Sequence, residues 1–131
     1  MGYYFVTFFA SKKRCLFGKN KNGKIKLSIL GLIINKYIKN FEKTNTDIKF
    51  LEYVIMPNHI HFLIEEKCDI YSSLFSRMKS FKKQINTDFG RSMFELDFLE
   101  NRIYSLEVYN KVKKYIKSNA NTWESDRYYE K

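Results

Sequence analysis

The feature that most constrains the fold is a pair of β-prone runs, residues 48–56 and 59–65, separated by Pro57 and Asn58. Both runs are rich in β-branched and aromatic residues, and a Pro-Asn pair is typical of a tight turn, so the sequence predicts an antiparallel hairpin. The chain's two histidines, His59 and His61, both lie on its second strand. Side chains two apart on a strand project from the same face, so both imidazoles can reach one point in space. Because imidazole is the commonest protein metal ligand, the hairpin is a candidate half of a metal site.

The alternation of side chains along this strand separates the histidines from the apolar core. Ile60, Phe62 and Ile64 face one way, where they can pack under helices. His59 and His61 face the other way, toward a side of the sheet that we expect to be open to a ligand. The alternative interpretation is that both are structural histidines on a solvated face of the sheet.

The rest of the chain reads as alternating strands and helices, which we predict to form a single domain over residues 1–131. The predicted elements are a strand at 3–10, a loop at 11–26, a helix at 27–43, the hairpin, a helix at 70–89, a strand at 98–104 and a helix at 105–120. This β-α-β-β-α-β-α order predicts an α+β, ferredoxin-like sandwich. Its sheet is expected to be mainly antiparallel, with helices on one face and the histidines on the open side.

The last predicted helix carries a second set of candidate site residues. Val108, Val112, Tyr115 and Asn119 fall at helical spacing and therefore share one face. A tyrosine can act as a covalent nucleophile, and an asparagine carbonyl oxygen can complete the coordination of a hard cation. The alternative is that Tyr115, one of ten tyrosines, is simply part of the core.

The charge balance points to a polyanionic partner. The chain has 24 basic and 14 acidic side chains, a net charge of +10, which favours nucleic acid first and an anionic membrane second. A lysine-rich composition inherited from an AT-rich genome is the alternative. No run of residues suits a membrane span or a signal peptide, so we expect no membrane association and a cytoplasmic location. Cys15 and Cys68 are isolated, which is typical of reduced thiols and not of a disulfide or zinc site.

Together these residues resemble the single-tyrosine HUH transposases, in particular the REP-associated tyrosine transposases and the related insertion-sequence transposases. Residues 53–65, Tyr-Val-Ile-Met-Pro-Asn-His-Ile-His-Phe-Leu-Ile-Glu, are similar to the HUH signature of histidine, bulky hydrophobe, histidine. Residues 115–119, Tyr-Ile-Lys-Ser-Asn, are similar to the helix that carries the nucleophile. Residues 123–129 resemble the family's tail, whereas Ala120 stands where REP-associated members often have proline.

The resemblance implies a metal-dependent endonuclease and strand transferase that acts on single-stranded DNA, either in transposition or in repeat processing. It implies that Tyr115 attacks the scissile phosphate to give a 5′-phosphotyrosine, and that His59, His61 and Asn119 hold Mg²⁺ or Mn²⁺. The expected partners are single-stranded DNA that contains a hairpin and, in some relatives, a second copy of the chain as a homodimer. The alternative within the same fold is a domesticated, non-catalytic protein that binds DNA hairpins.

A path for the DNA backbone is expected along basic residues of the first loop and the second predicted helix. The candidates are Lys12, Lys13, Arg14, Arg77, Lys79, Lys82 and Lys83. The alternative is that these side chains only form a solvated helix face and a solubilising loop.

Overall fold

The structure, a computed structural model, describes residues 2–67 and 74–130. Its elements are, in chain order, β1 (Gly2–Ala10), a 3₁₀ turn (Ser11–Lys13), β2 (Gly18–Lys21), β3 (Lys24–Leu27), α1 (Ile29–Thr44), β4 (Ile48–Met56), β5 (His59–Glu66), α2 (Leu74–Phe89), β6 (Phe94–Ile103), α3 (Leu106–Asn119) and a 3₁₀ segment (Ala120–Ser125). Four of the strands form one sheet in the order β4-β5-β1-β6, and every neighbouring pair is antiparallel. This confirms the α+β fold, with the strand order of a ferredoxin-like sandwich.

The predicted hairpin forms around the predicted turn. Met56 is paired with His59 across a two-residue turn made by Pro57 and Asn58. Strand β5 lies between β4 and β1, so it is covered on both edges. The histidines are therefore placed in the middle of the sheet, where the backbone on each side is fixed by hydrogen bonds.

Helices α1 and α2 cover one face of the sheet and form the main core. Ser28 caps α1, since its hydroxyl oxygen accepts a hydrogen bond from the backbone N–H of Gly31 at 3.0 Å. The apolar stripe of α1 and that of α2 pack on Val6, Phe8 and Phe62 of the sheet. Burying large aromatic and aliphatic side chains in this layer supplies most of the driving force for folding.

Helix α3 lies on the opposite face, which corrects the expectation that all helices share one face and leave the histidine side open. Leu63 and Ile103 from the sheet pack there against Val112 and Ile116 from α3. The histidines belong to this second layer. They therefore lie beneath a helix and its following segment and are not on a solvated surface.

Two other boundaries differ from the prediction. Residues 11–26, expected to be a loop, contain a β2–β3 hairpin whose turn places Asn22 and Gly23 at positive φ, as a two-residue Asn-Gly turn requires. Strand β6 begins at Phe94 and not at residue 98. Residues 70–73 of the second predicted helix lie outside the described residues. Within the described part of the chain, no helix is both long and apolar enough to cross a membrane.

Candidate metal centre

The two histidines are adjacent and almost fully buried on the α3 side of the sheet. His59 is 0% exposed and His61 is 2% exposed, and their ring centroids are 4.6 Å apart. The ring of Tyr128, in the segment after α3, lies 4.9 Å from that of His59. A buried histidine needs a partner for each ring nitrogen, so the partners of the four nitrogen atoms indicate what the site can do.

Asn58 fixes the tautomer of His59. The Asn58 amide nitrogen donates to the backbone carbonyls of Tyr128 at 2.7 Å and of Lys13 at 3.3 Å, so its Oδ1 is left as an acceptor. That oxygen lies 2.8 Å from His59 Nδ1, which must therefore carry the proton. The lone pair of His59 is consequently on Nε2, the atom that faces away from Asn58 and is free to bind a cation.

Thr7 orients the second histidine. Thr7 and His61 are cross-strand partners on β1 and β5, and the Thr7 hydroxyl lies 2.8 Å from His61 Nδ1. A carboxylate, carbonyl or hydroxyl on the far nitrogen of a metal-binding histidine is the usual arrangement that holds its ring. The Nδ1 atoms of both histidines are thus engaged, and both Nε2 atoms remain available.

Both imidazoles are held in the neutral form. Burial lowers the pKa of His59 to about 4, although the nearby Asp126 carboxylate and the Asn119 amide oppose the shift. Burial first, then repulsion by His59 and by Arg127, lowers the pKa of His61 to about 2. A cation binds only the neutral imidazole, so these shifts remove proton competition at neutral pH.

Asn119 brings the third donor atom from α3. Its side chain is 1% exposed, in line with the buried residues Val112 and Ile116 of the same helix. The Asn119 amide nitrogen donates to Asp126 Oδ2 at 2.6 Å. Since a carboxylate can only accept, this contact assigns the amide nitrogen to the Asp126 side and leaves the Asn119 oxygen for another partner.

Three polar atoms of this site have no hydrogen-bond partner among the described residues: His59 Nε2, His61 Nε2 and Asn119 Oδ1. A buried polar atom without a partner costs free energy, and a cation bound by all three lone pairs would offset that cost. Within residues 2–67 and 74–130, no three His, Cys, Asp or Glu side chains are arranged to hold a metal ion. A cation at this place therefore depends on the Asn119 oxygen, and two imidazoles with one amide oxygen suit Mn²⁺ or Mg²⁺.

Tyr115 lies at the edge of the same site. Its ring centroid is 5.2 Å from that of His61, and its side chain is 37% exposed. Tyr115 and His61 line one cleft of about 260 Å³, together with Phe5, Arg127 and Tyr128. Burial raises the pKa of the Tyr115 phenol, as do the Asp126 charge and Tyr128, whereas Arg127 lowers it. The predicted nucleophile thus borders an open cleft, next to the predicted metal ligands of its own chain.

The predicted basic residues fall into three groups. Lys12, Lys13 and Arg14 are exposed at the end of β1 nearest the site, since Asn58 contacts the Lys13 carbonyl. Lys79 and Lys83 are exposed on α2, which lies on the opposite side of the sheet.

Arg77 and Lys82, expected on the DNA path, have partners inside the protein instead. Arg77 forms a bidentate pair with Asp47, both contacts at 2.7 Å, and a further contact at 3.0 Å with Glu66. Lys82 is 3% exposed and donates to the backbone carbonyls of Glu95 and Leu96. We therefore assign both side chains to the stability of the fold.

Five residues that contribute to the site were not selected from the sequence: Thr7, Asn58, Asp126, Arg127 and Tyr128. A cross-strand pairing of Thr7 with His61 depends on the register of β1 against β5, which no local pattern gives. Asp126 and Arg127 follow a 3₁₀ segment that returns the chain to the sheet. Lys113, Lys114 and Lys117 of α3 line a separate groove, where Lys113 is half-buried and Lys117 forms an ion pair with Glu52 at 3.5 Å.

Comparison with known proteins gives the fold but not a family. No profile of a known protein family matches the chain. An uncharacterized protein of Haemophilus influenzae is 27% identical over 98% of this chain and 85% of its own length.

Two solved structures share the fold. A REP-associated tyrosine transposase bound to a REP hairpin superposes with a TM-score of 0.67 and 21% identity over 90% of this chain, which spans 66% of that protein's length. A "putative transposase" from Deinococcus radiodurans R1 superposes with a TM-score of 0.57 and 10% identity over 88% of each chain. The resemblance drawn from the sequence is therefore confirmed at the level of the fold.

Proposed function

We propose that this chain is a metal-dependent nuclease and strand transferase for single-stranded DNA, with Tyr115 as its nucleophile. The proposal rests mainly on three buried atoms with free lone pairs that converge beside the Tyr115 ring. They belong to His59, His61 and Asn119, and none has a hydrogen-bond partner in the described part of the chain. A net charge of +10 suits a polyanionic substrate, and the fold is that of two transposases.

The reaction assigned to Tyr115 is a phosphoryl transfer that conserves the phosphodiester bond. The phenol oxygen attacks phosphorus, so a bond from oxygen to phosphorus forms as the bond to the 3′ oxygen breaks. The phenol proton is lost, and the departing 3′ oxygen gains one. The products are a 5′-phosphotyrosine and a free 3′-hydroxyl, and attack by another 3′-hydroxyl rejoins the strand without ATP.

His59, His61 and Asn119 have the correct donor set for Mg²⁺ or Mn²⁺ at the scissile phosphate. When bound, the cation supplies Lewis-acid polarisation of the phosphate. The protein contributes the orientation of these donors: Asn58 holds His59, and Thr7 holds His61. Burial keeps both imidazoles neutral, so they remain donors across the physiological pH range.

The cleft favours a single strand, because a scissile phosphate must enter a space of about 260 Å³ to lie beside both Tyr115 and His61. Arg127 lines this cleft, and its guanidinium attracts the phosphate. Lys12, Lys13 and Arg14, exposed just beyond the end of β1, would extend the positive path. Lys79 and Lys83 lie on the other layer of the protein, and we place them outside it.

The direct test is formation of a covalent adduct with single-stranded DNA. Purified protein is incubated with a pool of hairpin-containing oligonucleotides and Mn²⁺, and adducts are separated on denaturing gels and sequenced. Tyr115→Phe should abolish the adduct while DNA binding remains. Replacing both His59 and His61 by alanine should abolish Mn²⁺-dependent cleavage, because the donors of the cation are removed.

Two other tyrosines make matched comparisons. Tyr109→Phe alters the same helix at a ring that packs on Tyr3, 5.3 Å away, and should leave the adduct intact. Tyr128 lines the same cleft, so Tyr128→Phe tests whether the neighbouring phenol is the true nucleophile. An adduct that persists in Tyr115→Phe contradicts the assignment, and tight hairpin binding without any adduct would favour the non-catalytic hairpin binder.

A further inference from the structure

Asp126 is a buried carboxylate that the reaction proposed above does not use. Its side chain is 0% exposed, and its Oδ2 lies 3.8 Å from His59 Nε2. An ionised carboxylate in a dry site is costly unless its oxygens are hydrogen-bonded. Its contacts therefore need an explanation beyond packing.

Each oxygen of this carboxylate has a defined donor. Asp126 Oδ1 accepts the backbone N–H of Tyr128 at 2.8 Å, and Oδ2 accepts the side-chain amide of Asn119 at 2.6 Å. The backbone N–H cannot rotate away, so it fixes the orientation of the carboxylate. The second oxygen then accepts its hydrogen bond from Asn119, while His59 Nε2 lies farther away, at 3.8 Å.

The segment between Asn119 and Asp126 turns the chain so that these two side chains meet. The Ala120–Ser125 3₁₀ turn follows α3 directly, and its Trp123 is 5% exposed with its ring 6.2 Å from that of His59. The Trp123 carbonyl accepts the Asp126 backbone N–H at 3.0 Å. The chain therefore turns back, and Asp126 contacts Asn119, the last residue of α3.

We propose that Asp126 is a positioning residue, which forces Asn119 to present its amide oxygen, and not its amide nitrogen, to the cation held with His59 and His61. A free asparagine amide can flip by 180°, and the flipped form would aim a donor N–H₂ at a cation. The carboxylate accepts hydrogen bonds only, so it permits one orientation. The inference rests on the proposed cation site and assigns a residue that supports it.

Asp126→Asn is the decisive single variant, because the hydrogen-bond pattern predicts its consequence. The fixed N–H of Tyr128 retains the one remaining oxygen of the new side chain, so the new N–H₂ faces Asn119. Asn119 must then turn its own oxygen to that group and its nitrogen to the histidines. We expect the affinity for Mn²⁺ alone, measured by calorimetry and by electron paramagnetic resonance, to fall by at least about tenfold.

A swapped pair provides the rescue. In the double variant Asn119→Asp with Asp126→Asn, the same contact forms with donor and acceptor exchanged, and a carboxylate oxygen again faces the histidines. Mn²⁺ affinity should return to at least about the wild-type value, since carboxylates are good ligands for this ion.

A second pair of variants keeps the test valid if the swapped chain folds poorly. In an Asn119→Ala background, Asp126→Asn should cause a smaller further loss than in the wild type, limited to the loss of the carboxylate charge 3.8 Å from His59 Nε2, because the residue that Asp126 positions is absent.

The control Glu124→Gln removes the same negative charge from an exposed position two residues away and should not change Mn²⁺ affinity. Wild-type affinity in Asp126→Asn overturns the inference, and so does a full further loss in the Asn119→Ala background. Those results leave the proposed nuclease intact. If the wild-type chain itself binds no Mn²⁺, the cation site fails, and with it both proposals.

Discussion

At the residue scale, the hydroxyl of Thr7 holds the ring of His61 in its orientation. It is 2% exposed and is the partner of His61 Nδ1, at 2.8 Å. Thr7→Val keeps the branched shape but removes this partner, so the ring can tilt and its Nε2 can leave the site. We expect Mn²⁺ affinity to fall by about 10- to 100-fold, the usual effect of removing such an outer partner. The free energy of unfolding without metal should fall by about 1 kcal/mol.

Calorimetric titration with Mn²⁺ and urea unfolding of the metal-free protein measure the two effects separately. Thr87→Val, the same change at an exposed position of α2, is the matched control for the loss of a hydroxyl. A Thr7→Val protein that binds Mn²⁺ within about twofold of wild type would show that His61 needs no such support.

The sequence was informative about those site residues whose spacing follows one secondary-structure period. His59 and His61 are two apart on a strand, and Tyr115 and Asn119 are one turn apart on a helix, so each pair could be placed without coordinates. Thr7 and Asp126 reach the site through strand register and a 3₁₀ return, which are set by tertiary contacts. The incorrect placement of Arg77 and Lys82 on the DNA path has the same cause. Their charge does not reveal that Arg77 pairs with Asp47, or that Lys82 donates to two backbone carbonyls in the folded protein.

At the element scale, the start of α1 is fixed by a close contact that only glycine allows. A Cβ added at Gly31 would lie 2.1 Å from the Phe17 carbonyl oxygen, which also accepts the Ser28 N–H at 2.9 Å. Gly31→Ala should therefore destabilise the protein by about 1–3 kcal/mol, the usual cost of overpacking, although alanine is the better helix former. Urea unfolding measures the change. Lys36→Ala, at an exposed position of the same helix, should leave the stability equal or slightly higher.

Among the elements, the long periodic ones were predicted and the short ones were not. Strand β5 and helices α1 and α3 carry clear period-two or helical patterns, and their positions were correct within a few residues. The β2–β3 hairpin has four-residue strands rich in lysine. Its Asn22-Gly23 pair is typical of a hairpin turn, but the basic residues around it favoured the prediction of a loop. Helix α3 was found, but its choice of face depends on the apolar surface of Leu63 and Ile103, which the helix pattern does not contain.

At the scale of the whole molecule, the sheet separates stability from chemistry. The α1–α2 layer buries the main core, whereas the α3 layer holds the histidines, Asn119 and Tyr115. Substitutions in the α1–α2 layer can change stability without altering His59, His61 or Asn119. Changes in the second layer combine both effects, so the Thr7→Val test measures the unfolding of the metal-free protein as well as Mn²⁺ binding.

The arrangement of the second layer predicts that one chain forms a complete site. Tyr115 lies 5.2 Å from His61 of the same chain, ring to ring, so no partner's helix is needed to bring nucleophile and donors together. A mixture of a Tyr115→Phe chain with a His59→Ala chain should therefore recover no DNA cleavage, since each site lacks one essential group. The measurement is adduct formation on denaturing gels, with each variant alone and wild type at the same total concentration as controls. Cleavage restored by mixing would mean that α3 is exchanged between two copies, and the adduct would then be carried by the chain that lacks His59.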